Sequence, residues 1–154
     1  MTYRIEGLEP AAFSHLFGQS DDTLAQDGAV RVRASGPGFP CRVTLKDAEE
    51  GESLILINHV SHDVATPYRS AYAIYVRERC TEAARFIDCL PPVMKGRPLG
   101  LRGFDSNGML QDARLALPGE ADERIRELFA CPDISEIHAH NAAHGCFAAR
   151  IVRD

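Results

Sequence analysis

The sequence predicts an α+β fold on a mostly antiparallel sheet, with short N-terminal helices and one longer helix before a C-terminal β-hairpin. Three observations carry this expectation. Segments of strand-like composition recur along the chain, separated by turn residues rather than by helical crossovers. An Asn107-Gly108 step lies between two of them, where it favours the positive φ of a tight hairpin. Only Ala121 to Ala130 has clear helical periodicity and helix-like length. With 154 residues, 45% of them apolar and 25% charged, the chain matches the size and usage of one globular domain, residues 1–154.

Taken in order, Tyr3 to Leu8 alternates weakly and reads as a first strand. Pro10 then starts a short helix carrying Phe13, Leu16 and Phe17. Ser20 before Asp21, Asp22 and Thr23 is an N-cap with an acidic first turn, and Gly28 ends that second short helix. Ala29 to Ala34 alternates as a strand. After the breakers Ser35 to Gly38, Phe39 to Leu45 reads as a further extended piece. Leu54 to Ile57 and Ala71 to Val76 are apolar enough to be central strands covered on both faces. A polar loop from Asn58 to Arg69 joins them.

Cys80 to Met94 starts helix-like, ends at Pro91 and Pro92, and is expected to cover the sheet. Leu99 to Phe104 and Met109 to Leu115 form the Asn-Gly hairpin. Ala121 to Ala130 sets Ile125, Leu128 and Phe129 on one helical face, with Pro132 just beyond its end. Ile134 to His140 and Cys146 to Val152 close the fold as a second hairpin.

The net charge of −5 gives no excess of cations to neutralise phosphate backbones, so nucleic acid is not an expected partner. No run of about 18 apolar residues marks a membrane span, and the first ten residues lack a secretory h-region. A cytoplasmic, soluble protein is expected. The five cysteines are odd in number and contain no C-x-x-C pair, which fits reduced thiols. Lys46 and Lys95 are the only lysines among 17 basic residues. That arginine dominance favours a local pocket for a carboxylate or phosphate. The Gly36-Pro37-Gly38 turn lacks phosphate-loop spacing, and the cofactor stays open.

Chemistry concentrates at the last hairpin. A five-residue loop, Asn141 to Gly145, would set His140 opposite Cys146, His138 opposite Ala148 and Glu136 opposite Arg150. Ile137, Ala139, Phe147, Ala149 and Ile151 would then share the other face. A four-residue loop would pair His140 with Phe147 and scatter charge onto both faces, so the first register is preferred. It makes Cys146 a candidate nucleophile with His140 as its base or ion-pair partner, while Asn141 points away. His138, His140 and Cys146 could instead hold a metal, although no metal ligand is assigned on H-x-H alone. All three could equally be strand residues that pack. Arg42, Arg69 and Arg102 are expected to converge with His140 and Cys146 on one concave surface, with His138 and Asn141 as further binding groups.

The segments Gly38-Phe39-Pro40-Cys41-Arg42, Pro67-Tyr68-Arg69-Ser70, Tyr75-Val76-Arg77-Glu78 and His140 to Arg150 resemble a bacterial family catalogued as domain of unknown function 1203. Ala71-Tyr72-Ala73 departs from the glycine and proline expected there. The resemblance implies kinship and no particular activity. Two functions therefore stand side by side. One is a small-molecule enzyme using Cys146 and His140 on a small anionic ligand. The other is a non-catalytic binding or structural protein in which the same residues shape a pocket.

Overall fold

The computed structural model describes all 154 residues. Its strands are β1 (Tyr3–Glu6), β2 (Val30–Arg33), β3 (Ser53–His62), β4 (Ser70–Arg77), β5 (Arg85–Ile87), β6 (Leu99–Phe104), β7 (Leu110–Ala116), β8 (Glu136–Asn141) and β9 (Phe147–Arg153). The helices are α1 (Asp21–Gln26) and α2 (Ala121–Phe129), with single 3-10 turns at 10–12, 14–16 and 92–94. The strands form a six-stranded sheet, β5-β1-β9-β8-β6-β7, and a three-stranded sheet, β2-β3-β4. Every strand pairing is antiparallel, so the predicted α+β class with a mostly antiparallel sheet and a C-terminal hairpin holds.

The period-2 alternation of β6, β8 and β9 divides the large sheet into two faces. Leu99, Leu101, Ile137, Ala139, Ala149 and Ile151 face one side, where they form the main core with Ile125, Leu128 and Phe129 of α2. The opposite face carries Arg102, Phe104, Glu136, His138 and His140, and its rings meet those of the small sheet. His62 lies 4.1 Å from the Phe104 ring centroid, and Tyr72 lies 4.9 Å from that of His140. The junction between sheets is therefore built from aromatic and imidazole rings.

Several boundaries differ from expectation. β3 runs on to His62, so Asn58, His59 and His62 belong to a strand and the connecting loop is only 63–69. β4 is an edge strand, with β3 alone central in its sheet. Cys80 to Met94 contains β5 and a 3-10 turn instead of a helix start. Phe39 to Leu45 is not a strand. The chain turns back at once, with Leu45 N–H donating to the Cys41 carbonyl at 2.9 Å and Leu45 at φ 52°. Only isolated bridges remain, Pro40 to Asp47 and Cys41 to Tyr75, the latter parallel.

The segment is held by its backbone. Arg42 donates its N–H to the Tyr75 carbonyl at 2.9 Å, and its own carbonyl accepts from Leu8 at 2.8 Å. A Cβ on Gly7 would stand 1.9 Å from the Val43 carbonyl oxygen, so only glycine permits this approach. At the Asn-Gly hairpin the left-handed conformation falls on Gly108 alone, at φ 81°. Asp105 caps that turn by accepting from the N–H groups of Asn107 and Met109 at 2.8 and 3.0 Å. No helix is long and apolar enough to cross a membrane.

Candidate functional site

A cleft of about 650 Å³ opens between the β8–β9 loop, the 38–42 segment and one face of β3 and β4. Its polar groups are Arg42, Arg97, Asn141, His144 and Cys146, set against Leu56, Ala73 and Tyr75. Arg42 is 2% exposed. Its Nη2 is 3.6 Å from the Cys146 sulfur, while Nε and Nη1 are buried without a hydrogen-bond partner. Burial pushes the guanidinium below its ordinary value and the Cys146 sulfur works against that shift. Even so, an arginine keeps its proton. The Asn141 amide donates from Nδ2 to the Cys146 sulfur at 3.1 Å, and its Oδ1 is buried without a partner.

The arginine beside it is different. Arg97 binds both oxygens of Asp47 at 3.1 Å and the Val93 carbonyl at 2.7 Å. Arg31 pairs with Glu78 and Arg77 with Glu52, each at 2.6 Å. No carboxylate comes within ion-pair distance of Arg42. The cleft therefore has a fixed positive charge with no carboxylate partner at its buried end, and the Cys146 sulfur next to it also receives the Asn141 amide N–H.

The closing hairpin corrects the expected register. Glu136 to Ala139 pair with Val152 to Ala149, but His140 pairs with Phe147, and a bulge intervenes between Ala139 and His140. The bulge leaves one more residue on β9 than on β8, so the side-chain parity of β9 changes at Ala148. The physical gain is burial. Phe147, expected among the apolar residues of the α2 face, turns instead into the sheet junction against His138 and His140, where it is 1% exposed. The same step takes Cys146 out of opposition to His140 and brings it to Asn141, whose N–H donates to the Cys146 carbonyl at 3.0 Å.

His140 thus makes other contacts. Its Nδ1 lies 3.1 Å from the Gly145 carbonyl and its ring stands edge-on to Tyr72. Burial pushes its pKa down to about 4, which leaves it a neutral imidazole near pH 7. The remaining expected members are dispersed. Arg69 is exposed and pairs with Asp63 at 3.2 Å. Arg102 lies beside His138, with Nη1 3.5 Å from the Tyr72 hydroxyl. The expected convergence of three arginines is corrected to one, Arg42, accompanied by Asn141 and Cys146.

His138 contacts neither His140 nor Cys146 through a polar atom. Its Nε2 is 3.1 Å from Glu136 Oε1, and His62 Nδ1 is 3.8 Å from the same oxygen. The metal-capable grouping is therefore His62, Glu136 and His138, in place of His138, His140 and Cys146. Glu136 is held down at about 2, chiefly by the hydrogen bond from His138 and then by the Arg150 charge. Burial holds His138 below its ordinary value. In the sequence alone His62 falls in the polar loop and Glu136 stands opposite Arg150 as an ion-pair partner. That ion pair does form, at 2.7 Å. The legible signal was Glu136-x-His138, which puts two donors on one strand face.

Cys41 is fully buried but is not merely apolar. Its sulfur accepts the N–H groups of Thr44 and Arg77 at 3.5 and 3.4 Å. A hydrogen bond from Cys80 pulls its thiol well below the ordinary value, against the opposing effect of burial. These contacts pin the residue next to Arg42. No similarity to a curated protein or to a solved structure was found. Residues 38–153, which include every polar residue of the cleft, match the family described as Protein of unknown function (DUF1203), and the chain belongs to that family.

Proposed function

We propose that the protein binds a small molecule bearing a carboxylate or phosphate in the cleft, with Arg42 as its counter-charge and Cys146 as the thiol that meets it. The supporting observation is the unpaired Arg42 guanidinium. Burying a charge without a partner costs several kcal/mol, and the fold has satisfied Arg97, Arg77 and Arg31 with carboxylates while leaving Arg42 with none. An anion of the right size removes that cost. The Arg42 guanidinium and the Asn141 amide, both of which line the cleft, supply the charge and the polar group for recognising it. Cys146 is the nucleophile available at that place. Five cysteines, none of them paired in a disulfide, fit a reducing compartment such as the cytoplasm.

The reading is tested by alkylation. Iodoacetamide modification of Cys146, followed by mass spectrometry, should slow several-fold when phosphate or a small dicarboxylate is added, because the bound anion covers the thiol. In Arg42→Met the protection should disappear. Modification of Cys146 at one rate in the parent, with and without anions of both classes, would overturn the proposal.

A further inference from the structure

A second group of side chains lies at the other end of β8. Asn141, at the C-terminal end of the strand, belongs to the cleft. His138 and Glu136 lie toward its start, about 10 and about 17 Å away at the rise of a strand. Both face the sheet junction, where β3 ends on His62. One donor atom from each of Glu136, His138 and His62 lies within 4.8 Å of the other two. His62 and His138 are 4% and 2% exposed. Two buried imidazoles and a carboxylate at this spacing resemble the N,N,O donor sets that hold zinc and ferrous ions.

The hydrogen bonds around His62 and Glu136 Oε2 favour that use, while His138 Nε2, which donates to Glu136 Oε1 at 3.1 Å, gives up its proton when a metal binds. His62 Nε2 lies 3.0 Å from the Gly108 carbonyl. A carbonyl only accepts, so Nε2 carries a proton, and in the neutral ring Nδ1 keeps the free lone pair. Nδ1 lies 3.8 Å from Glu136 Oε1, beyond hydrogen-bond distance. A ligating histidine with its other nitrogen donated to a backbone carbonyl is the usual outer-sphere arrangement. Glu136 is oriented in the same way, with Oε2 accepting from Arg150 Nε at 2.7 Å while Oε1 faces the histidines. Gly108 contributes through its backbone. A Cβ there would lie 2.7 Å from Val64, so the carbonyl that fixes the His62 tautomer depends on glycine.

We infer that His62, Glu136 and His138 form a binding site for one divalent transition-metal ion of the zinc class, which ties the three-stranded sheet to the six-stranded sheet. Ligand atoms about 2.1 Å from a common tetrahedral zinc stand about 3.4 Å apart. A closure of under about 2 Å between the two imidazoles therefore completes the site. Three protein donors leave at least one coordination position for water or another small ligand.

The experiment is titration of the full-length protein, stripped with chelator, with Zn²⁺ by calorimetry and with Co²⁺ by visible absorption. One equivalent should bind, and thermal unfolding should shift upward with Zn²⁺ as binding to the native state requires. The Co²⁺ complex should lack a thiolate charge-transfer band. Glu136→Gln and His62→Gln should each weaken binding at least tenfold, whereas Cys146→Ser and His144→Ala should leave it unchanged. Because substitutions at the junction can unfold the protein, the parent Co²⁺ complex supplies a second readout. In its proton NMR spectrum the His62 Nε2–H, sheltered by Gly108, should appear as a strongly shifted, slowly exchanging signal. Absence of stoichiometric binding, loss of binding in Cys146→Ser, or a Co²⁺ complex without shifted imidazole protons would each overturn the site.

Discussion

Asn141 and Arg42 approach the same sulfur from two sides, at 3.1 and 3.6 Å, and Asn141 is the one that can change charge without changing shape. In Asn141→Asp a carboxylate would stand beside Cys146 and present to Arg42 the internal counter-charge that the parent lacks. Added anions then meet like charge. Phosphate affinity, measured by calorimetry, should fall at least tenfold, about 1.4 kcal/mol, while the fold by circular dichroism stays intact. A second residue reports on pH. His59 packs edge-on against Phe13 with ring centroids 5.5 Å apart, and burial alone holds its pKa below the ordinary 6.5. Above pH 6.5 both the native and the unfolded imidazole are neutral and nothing changes. As pH falls below that value, the unfolded chain takes up a proton that the native state resists, and stability is lost. Urea unfolding at pH 7 and pH 5 should show this decline, and His59→Phe should make it smaller. An equal decline in parent and variant would remove His59 from the account.

At the scale of elements, the position of Arg42 depends on a turn that is not itself a strand or a helix. Residues 41–43 are hung from β4 by Tyr75 and pressed against Gly7 after β1. Gly7→Ala forces a Cβ into the Val43 carbonyl. Overpacking of this kind costs roughly 1–3 kcal/mol, and the displaced backbone should carry Arg42 with it. Loss of stability together with weaker phosphate binding is the expected result, whereas normal values of both would deny the contact its role. The local patterns of α1, α2 and the two hairpins were readable because capping, helical period and turn residues act within a few positions. Ser20 does accept the Thr23 N–H at 3.2 Å. The Phe39 to Leu45 turn looks like a strand in the sequence because alternating apolar residues have that pattern whether or not an edge accepts them. The bulge in the last hairpin was invisible for a related reason. Face separation along the hairpin favours one register, but space for Phe147 exists only because the small sheet lies opposite, and that is tertiary information.

For the whole molecule, two sheets meet along β8, and the junction has a different chemistry at each end. The cleft end combines Arg42 from one segment with Asn141 and Cys146 from the hairpin, so no single stretch of sequence displays it. Arginine dominance pointed to such a pocket, yet it could not say which of 15 arginines would be left unpaired, because pairing is decided by where carboxylates land in the fold. Its consequence concerns stability as well as binding. If Arg42 awaits an anion, it burdens the anion-free protein, and replacing it with an apolar side chain of similar length should relieve that burden. The most direct measurement is urea unfolding of the parent and Arg42→Met, each with and without phosphate. The parent should gain stability with phosphate, by an amount that grows with its concentration. Arg42→Met should be at least as stable as the anion-free parent and should not respond. An Arg42→Met protein that is several kcal/mol less stable, with phosphate stabilising both proteins alike, would contradict the account and make Arg42 a structural residue.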